Sequence, residues 1–218
     1  MILKKITNWT FLLLIFSLGF MYPIAFTYQS FRVPFTDIIF LFVVALFGIA
    51  ILFKQIKIRF SFFYFPLFIY LLALFCSTLF SFNFEISVTK LPGELYLIGL
   101  AVLGFNLIRS VEDFKKVFIT WIISTAIGLI IGFITFILFY FDRTNDLLNY
   151  TLSKYGTLPT LIIPRVQSTF FNPNHYCAYL VVSLMMILAV YRLNWLNRKL
   201  LIILFLLLLF VVFLTLSP

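Results

Sequence analysis

Seven runs of apolar residues, separated by short polar breaks, divide the chain at about 9–27, 37–53, 61–82, 91–108, 117–141, 174–191 and 200–216. A helix needs about 20 predominantly apolar residues to cross the hydrocarbon core of a bilayer, and each run is of that order. None of them alternates apolar and polar residues over about ten positions, as a transmembrane barrel strand does. In lipid every backbone N–H and C=O must be paired within the protein, and a helix does this unaided. The pattern predicts an all-α integral membrane protein of about seven transmembrane helices, forming a single polytopic membrane domain over residues 1–218.

The breaks carry an orientation. With the N-terminus in the cytoplasm, the inner segments hold Lys4 and Lys5, then Lys54, Lys57 and Arg59, then Arg109, Lys115 and Lys116, then Arg192, Arg198 and Lys199. The outer segments hold Arg32, Lys90, and the trio Arg143, Lys154 and Arg165. Every inner segment outscores the short outer ones, as the positive-inside rule requires. Seven spans then put the C-terminus outside, in a multi-pass protein of the cytoplasmic membrane. Met1 to Lys5 before an apolar run could also open a signal peptide. The run continues without a small-x-small cleavage site and is expected to be an uncleaved first span.

Composition agrees. The chain is 64% hydrophobic and 11% charged, whereas a soluble domain carries about 25% charged residues. Such a chain cannot coat a globule with polar surface. The net charge of +9 does not imply nucleic acid, because the basic residues are spread over short breaks instead of gathered on one face. Cys76 and Cys177 lie inside apolar runs and are expected to be small buried hydrophobes, not a disulfide or metal pair.

One break is long. Residues 142–173 are expected to form an outer loop, and long connections are often functional. It opens with Asp142, Arg143, Thr144, Asn145 and Asp146. Its moderately apolar middle, Leu147 to Ile163, is expected to lie on the outer membrane surface as a short amphipathic helix. It closes with Pro164-Arg165-Val166-Gln167-Ser168-Thr169-Phe170-Phe171-Asn172-Pro173-Asn174-His175. Asn172 and Pro173 read as a helix start: Asn caps free N–H groups, and Pro at the first helical position has none to leave unpaired. A helix N-terminus favours anions, and arginine offers a planar fork for phosphate oxygens. Arg165, Asn174, Arg143, Lys154 and His175 therefore describe a candidate binding site for a lipid-linked diphosphate. Blander readings stand beside it: Arg165 snorkelling to headgroup phosphates, and His175 as a structural donor. No second histidine and no carboxylate cluster supports a metal site.

The run from Arg165 to Asn174, with Phe170-Phe171-Asn172-Pro173-Asn174 entering an aliphatic helix, resembles the motif of the O-antigen ligase and O-antigen polymerase superfamily. The short-looped spans before it and Leu214-Thr215-Leu216-Ser217 after it also match that family's order. Ser168 stands where a glycine is common. The resemblance implies glycan transfer in cell-envelope polysaccharide biosynthesis, at the outer face of the cytoplasmic membrane. The donor would be a polyprenyl-diphosphate-linked saccharide, with no cofactor and no metal. It implies Arg165 as the diphosphate contact, helped by the helix start at Asn174. In the family the Thr-x-Ser continues into Arg-Gly and further spans. Those spans include an outer loop with a second arginine and the histidine implicated in catalysis. This chain stops at Pro218, so a truncated product of little or no activity is expected. His175 does not match that histidine, and no catalytic residue is assigned.

Two other functions compete. A transporter or flippase fragment would carry ionisable residues at mid-membrane, whereas Asp37, Lys90 and Glu94 fall toward the outer ends of their runs. Lys90 and Glu94 are one helical turn apart and could pair. A noncatalytic membrane subunit, assembled with other subunits of a polysaccharide system, fits the large apolar surface equally well.

Overall fold

A computed structural model describes residues 2–21, 26–28, 31–141, 151–153 and 165–215, with no side-chain description for 26–28, 31–33 and 152–153. Among the described residues, seven helices and two short antiparallel strand pairs occur. The helices are α1 (Ile2–Ser17), α2 (Phe35–Leu52), α3 (Tyr64–Leu79), α4 (Phe84–Leu107), α5 (Val111–Phe141), α6 (Pro173–Arg192) and α7 (Arg198–Thr215). The strands are β1 (Phe26–Tyr28) with β2 (Phe31–Val33), and β3 (Leu152–Ser153) with β4 (Arg165–Val166). Five helices, α2, α4, α5, α6 and α7, are long and apolar enough to cross a membrane; α3 is a shorter apolar helix. The chain has the character of a multi-pass membrane protein.

Helix ends follow local chemistry more than hydropathy. The first helix starts at Ile2, not near Trp9, because Lys4 and Lys5 are good helix formers that an apolar window excludes. It stops at Ser17 through tightening turns, with Gly19 N–H donating to the Phe16 carbonyl and Phe20 N–H to that of Ser17. Phe26 and Thr27, expected at the end of that span, belong to β1. The fourth helix starts at Phe84, well before the expected 91, because the Asn83 side chain accepts from Ile86 N–H at 3.3 Å. Pro92 lies inside it. The fifth starts at Val111, ahead of 117, on a reciprocal cap. Ser110 Oγ accepts from Asp113 N–H at 3.1 Å, and Asp113 Oδ2 accepts from Ser110 N–H at 3.1 Å. Cys76 and Cys177 are free thiols, and Cys76 is exposed on α3, not buried as expected.

The chain groups into two compact units, Met1–Trp9 with Phe40–Asp113, and Thr10–Ile39 with Phe114–Pro218. In the first, α3 and α4 pack as neighbours. Glu94 on α4 accepts from the Tyr70 hydroxyl at 2.6 Å. A polar knot centres on fully buried Asn106. Its amide donates to the Tyr64 hydroxyl (2.7 Å) and the Val102 carbonyl (2.9 Å), and its Oδ1 accepts from Arg59 N–H (2.9 Å). Arg59 and Arg109 close the knot by donating to backbone carbonyls, Arg59 to Ile108 and Arg109 to Asn106 and Lys57.

The second unit holds the larger core, built from Ile122, Leu129, Val166, Phe170, Tyr176, Tyr179, Leu180, Ile187, Leu201 and Leu208 among others. Here α5 and α6 run antiparallel and are joined by polar side chains. Tyr176 reaches the Gly128 carbonyl at 3.3 Å, Tyr179 the Thr125 hydroxyl at 3.0 Å, and Trp121 Nε1 the Ser183 hydroxyl at 2.8 Å. Small residues and shared hydroxyls are how helices hold together where lipid offers no hydrophobic drive.

Candidate functional site

The segment leading into α6 is pulled into the second unit. Val166 and Ser168 are fully buried, and Phe170 and Gln167 nearly so. Buried irregular backbone needs protein partners for its polar groups, and here it has them. Gln167 and Ser168 N–H both donate to the Thr151 carbonyl (3.1 and 2.9 Å), and Phe170 N–H turns back to Gln167 (3.0 Å). Ser168 sits at φ 51°, the left-handed region. That backbone suits glycine better than serine. In exchange Ser168 Oγ donates to the Gly128 carbonyl at 2.6 Å. Thr169 Oγ1 donates to the Gly19 carbonyl at 2.5 Å.

Two glycines make the approach possible. A Cβ on Gly132 would stand 3.1 Å from the Val166 side chain, and one on Gly19 would stand 2.2 Å from Ser124 Oγ. Gly128 and Gly132 are four residues apart in an apolar helix, the spacing of a close-packing face. That spacing is a signal the sequence carries, outside the polar cluster at Arg165 to His175.

At the end of this segment the expected helix start is found. Asn172 caps α6, its Oδ1 accepting from Asn174 N–H at 2.8 Å, and Pro173 takes the first helical position. Arg165 and Asn174 are brought together: an Arg165 terminal nitrogen donates to Asn174 Oδ1 at 2.7 Å. Arg165 Nε donates to the Thr215 carbonyl at 2.8 Å, the last residue of α7, where the helix dipole is negative. One half-buried guanidinium thus joins β4, the N-terminus of α6 and the C-terminus of α7. The contact between Arg165 and Thr215 had no signal in the sequence, since 50 residues separate them. His175 is exposed on the first turn of α6. Arg143 and Lys154 lie outside the described residues. So does most of the expected surface helix, while Leu152 and Ser153 within it are strand. Among the described residues no three of His, Cys, Asp and Glu gather to hold a metal ion.

Depth follows from helix rise. At 1.5 Å per residue, Arg198 to Thr215 spans about 26 Å, so Arg165 sits close to one hydrocarbon thickness of about 30 Å from the α6–α7 turn. Helix α5 continues past the Gly128 level to Phe141, about 20 Å further by the same rise. The guanidinium therefore lies at the far end of α7 from that turn, in a unit whose helix α5 continues to Phe141.

Comparison of the chain with known family models, with curated proteins and with solved structures finds no match.

Proposed function

We propose that this chain binds a polyprenyl-diphosphate-linked saccharide at the outer face of the cytoplasmic membrane. It would act as a glycan polymerase or ligase, or as part of one. The orientation proposed is the one the basic breaks imply: seven spans with the N-terminus inside, α1 and α3 included although each has 16 residues. One observation carries the proposal. Arg165 and Asn174 meet at 2.7 Å on the capped start of α6, in a segment buried inside an apolar bundle. A permanent cation and a helix N-terminus at a lipid boundary suit the diphosphate of a lipid carrier, whose apolar tail remains in the bilayer. The chemical energy lies in the donor, so the protein's task is to hold the leaving diphosphate and position the attacking hydroxyl. In this proposal Arg143, Lys154 and His175 flank the headgroup, and no general base is assigned.

A noncatalytic subunit has one observation in its favour: the Arg165 bond to the Thr215 carbonyl is a clasp in its own right. Arg165→Gln separates the two. With a diphosphate seat, purified full-length protein in mild detergent loses at least tenfold in affinity for undecaprenyl diphosphate, and its melting temperature moves little. With a clasp alone, the melting temperature falls and affinity per folded molecule stays the same.

A further inference from the structure

The opposite end of the second unit carries a feature that the diphosphate proposal does not use. Helices α6 and α7 leave between their side chains an apolar groove lined by Ile187, Leu188, Tyr191, Leu201, Ile202 and Phe205. Its floor is closed, with Ile187 and Leu201 buried, while Leu188 and Ile202 on its walls are each about half exposed (47%). The turn that closes this end is sharply set. Asn194 adopts φ 54°, and Trp195 N–H donates back to the Val190 carbonyl at 3.2 Å, ending α6 in the left-handed manner.

The turn beside the groove is basic. Arg192, Arg198 and Lys199 are all exposed around the turn. Arg198 is held in place: its Nε donates to Asn194 Oδ1 at 2.7 Å, and its guanidinium lies 5.5 Å over the ring of Tyr191, itself a wall of the groove. The two terminal nitrogens of Arg198 have no protein partner among the described residues. A cation positioned by its contacts with Asn194 and Tyr191 thus stands beside an apolar groove between two apolar helices.

We infer that this groove is the seat of an anionic glycerophospholipid of the leaflet facing the α6–α7 turn, one acyl chain lying between α6 and α7 and its phosphate held by Arg198 with Arg192 and Lys199. The occupant follows from charge and shape together. A zwitterionic lipid would fill the slot equally well but gain less from three cations. A free phosphate would leave the apolar walls uncovered. Arginine's fork takes two phosphate oxygens at once, which a surface lysine does not. An anionic lipid near a cluster of basic residues gains about 1 kcal/mol per Lys or Arg, which is about fivefold in affinity for each.

Native mass spectrometry of the full chain in mild detergent tests this with phosphatidylglycerol and phosphatidylcholine of the same acyl composition. The expected result is at least fivefold tighter binding of phosphatidylglycerol. Arg198→Gln should cut that preference about fivefold while leaving phosphatidylcholine binding in place. Ile202→Trp, at a half-exposed wall position where the larger ring fits without disturbing the core, should weaken both lipids. Lys57→Gln, an equally exposed cation of the first unit, should change neither. Equal affinity for the two lipids in the wild-type chain would overturn the inference. So would a loss of preference in Lys57→Gln as large as that in Arg198→Gln, which would mark a nonspecific charge effect. This test is independent of the diphosphate proposal, since no residue in it touches Arg165 or Asn174.

Discussion

The α3–α4 pair and the α5–α6 pair are both neighbouring apolar helices, yet they bury different kinds of residue. In α4 only 6% of the apolar window is buried, against 39% in α5. What α5 buries is largely small or hydroxylated: Ser124, Thr125, Gly128, Gly132 and Thr135. What α4 buries is Leu103, Leu107 and the single amide of Asn106. Hydropathy cannot separate these cases, because both helices are apolar throughout. In lipid an apolar side chain gains little by leaving one hydrocarbon for another, so association depends on close backbone approach and on hydrogen bonds. The α5–α6 pair is joined by hydrogen bonds through Trp121, Thr125, Tyr176, Tyr179 and Ser183, and the glycines of α5 seat the buried segment that follows Arg165. Within the first unit, α4 relies on the knot at Asn106, one hydrogen bond from Tyr70 to Glu94, and the ring of Phe40 over Gly99.

Substitutions can break this contrast. The largest effect is expected at Gly132. Gly132→Leu drives a side chain into Val166 and Ser168 and should cost about 1–3 kcal/mol as overpacking, read as a fall of several degrees in the melting temperature in detergent. Gly93→Leu in α4, where nothing lies within 4 Å, should cost nothing and could stabilise the helix. Equal losses at the two glycines would remove the distinction between the pairs.

Next comes Asn106→Leu. It deprives Arg59 N–H and the Tyr64 hydroxyl of their shared partner and should destabilise the first unit by about 1–3 kcal/mol, the usual cost of stranding buried polar groups. Hydrogen exchange of α3 and α4 is the readout, with increased exchange there and none in α6. Ser168→Gly is a milder change. The backbone at φ 51° suits glycine, so only the bond to the Gly128 carbonyl is lost, about 1 kcal/mol, seen as a small fall in melting temperature. Thr125→Val should be smaller still, about 0.6 kcal/mol, the average for interhelical hydrogen bonds in membranes. A Thr125→Val loss exceeding that of Gly132→Leu would show that the hydroxyl bonds between α5 and α6, not the seating of Val166 and Ser168 on Gly132, hold the second unit together.

Much of the fold was legible. Among the described residues each apolar run falls on a helix, and five of those helices are long and apolar enough to cross a membrane, because a long apolar run has little choice of conformation in lipid. The start of α6 was read to the residue, since Asn172 and Pro173 act within one turn. Ends set by polar caps were read less well: Ser110 with Asp113 extends α5 to Val111, and Asn83 extends α4 to Phe84, both outside the apolar windows. The paired strands carried no periodic signal, being two or three residues long. At the site, the nearness of Arg165 and Asn174 was legible because nine residues separate them. The bond to Thr215 and the docking of Ser168 on Gly128 were not, since each joins residues 40 or more positions apart. The spacing of Gly128 and Gly132 was the one readable trace of that docking.

The central claim is that the Arg165 corner receives the diphosphate of a lipid carrier. Photo-crosslinking tests it most directly, with a polyprenyl diphosphate bearing a photoreactive group next to the diphosphate, incubated with the full chain in lipid nanodiscs and mapped by peptide mass spectrometry. The account predicts labels concentrated between Arg165 and Tyr176 and at the end of α7, competed by unlabelled undecaprenyl diphosphate and lost in Arg165→Gln. Labels spread over the lipid-facing surfaces of α2 and α4, unchanged by competitor or by Arg165→Gln, would contradict it.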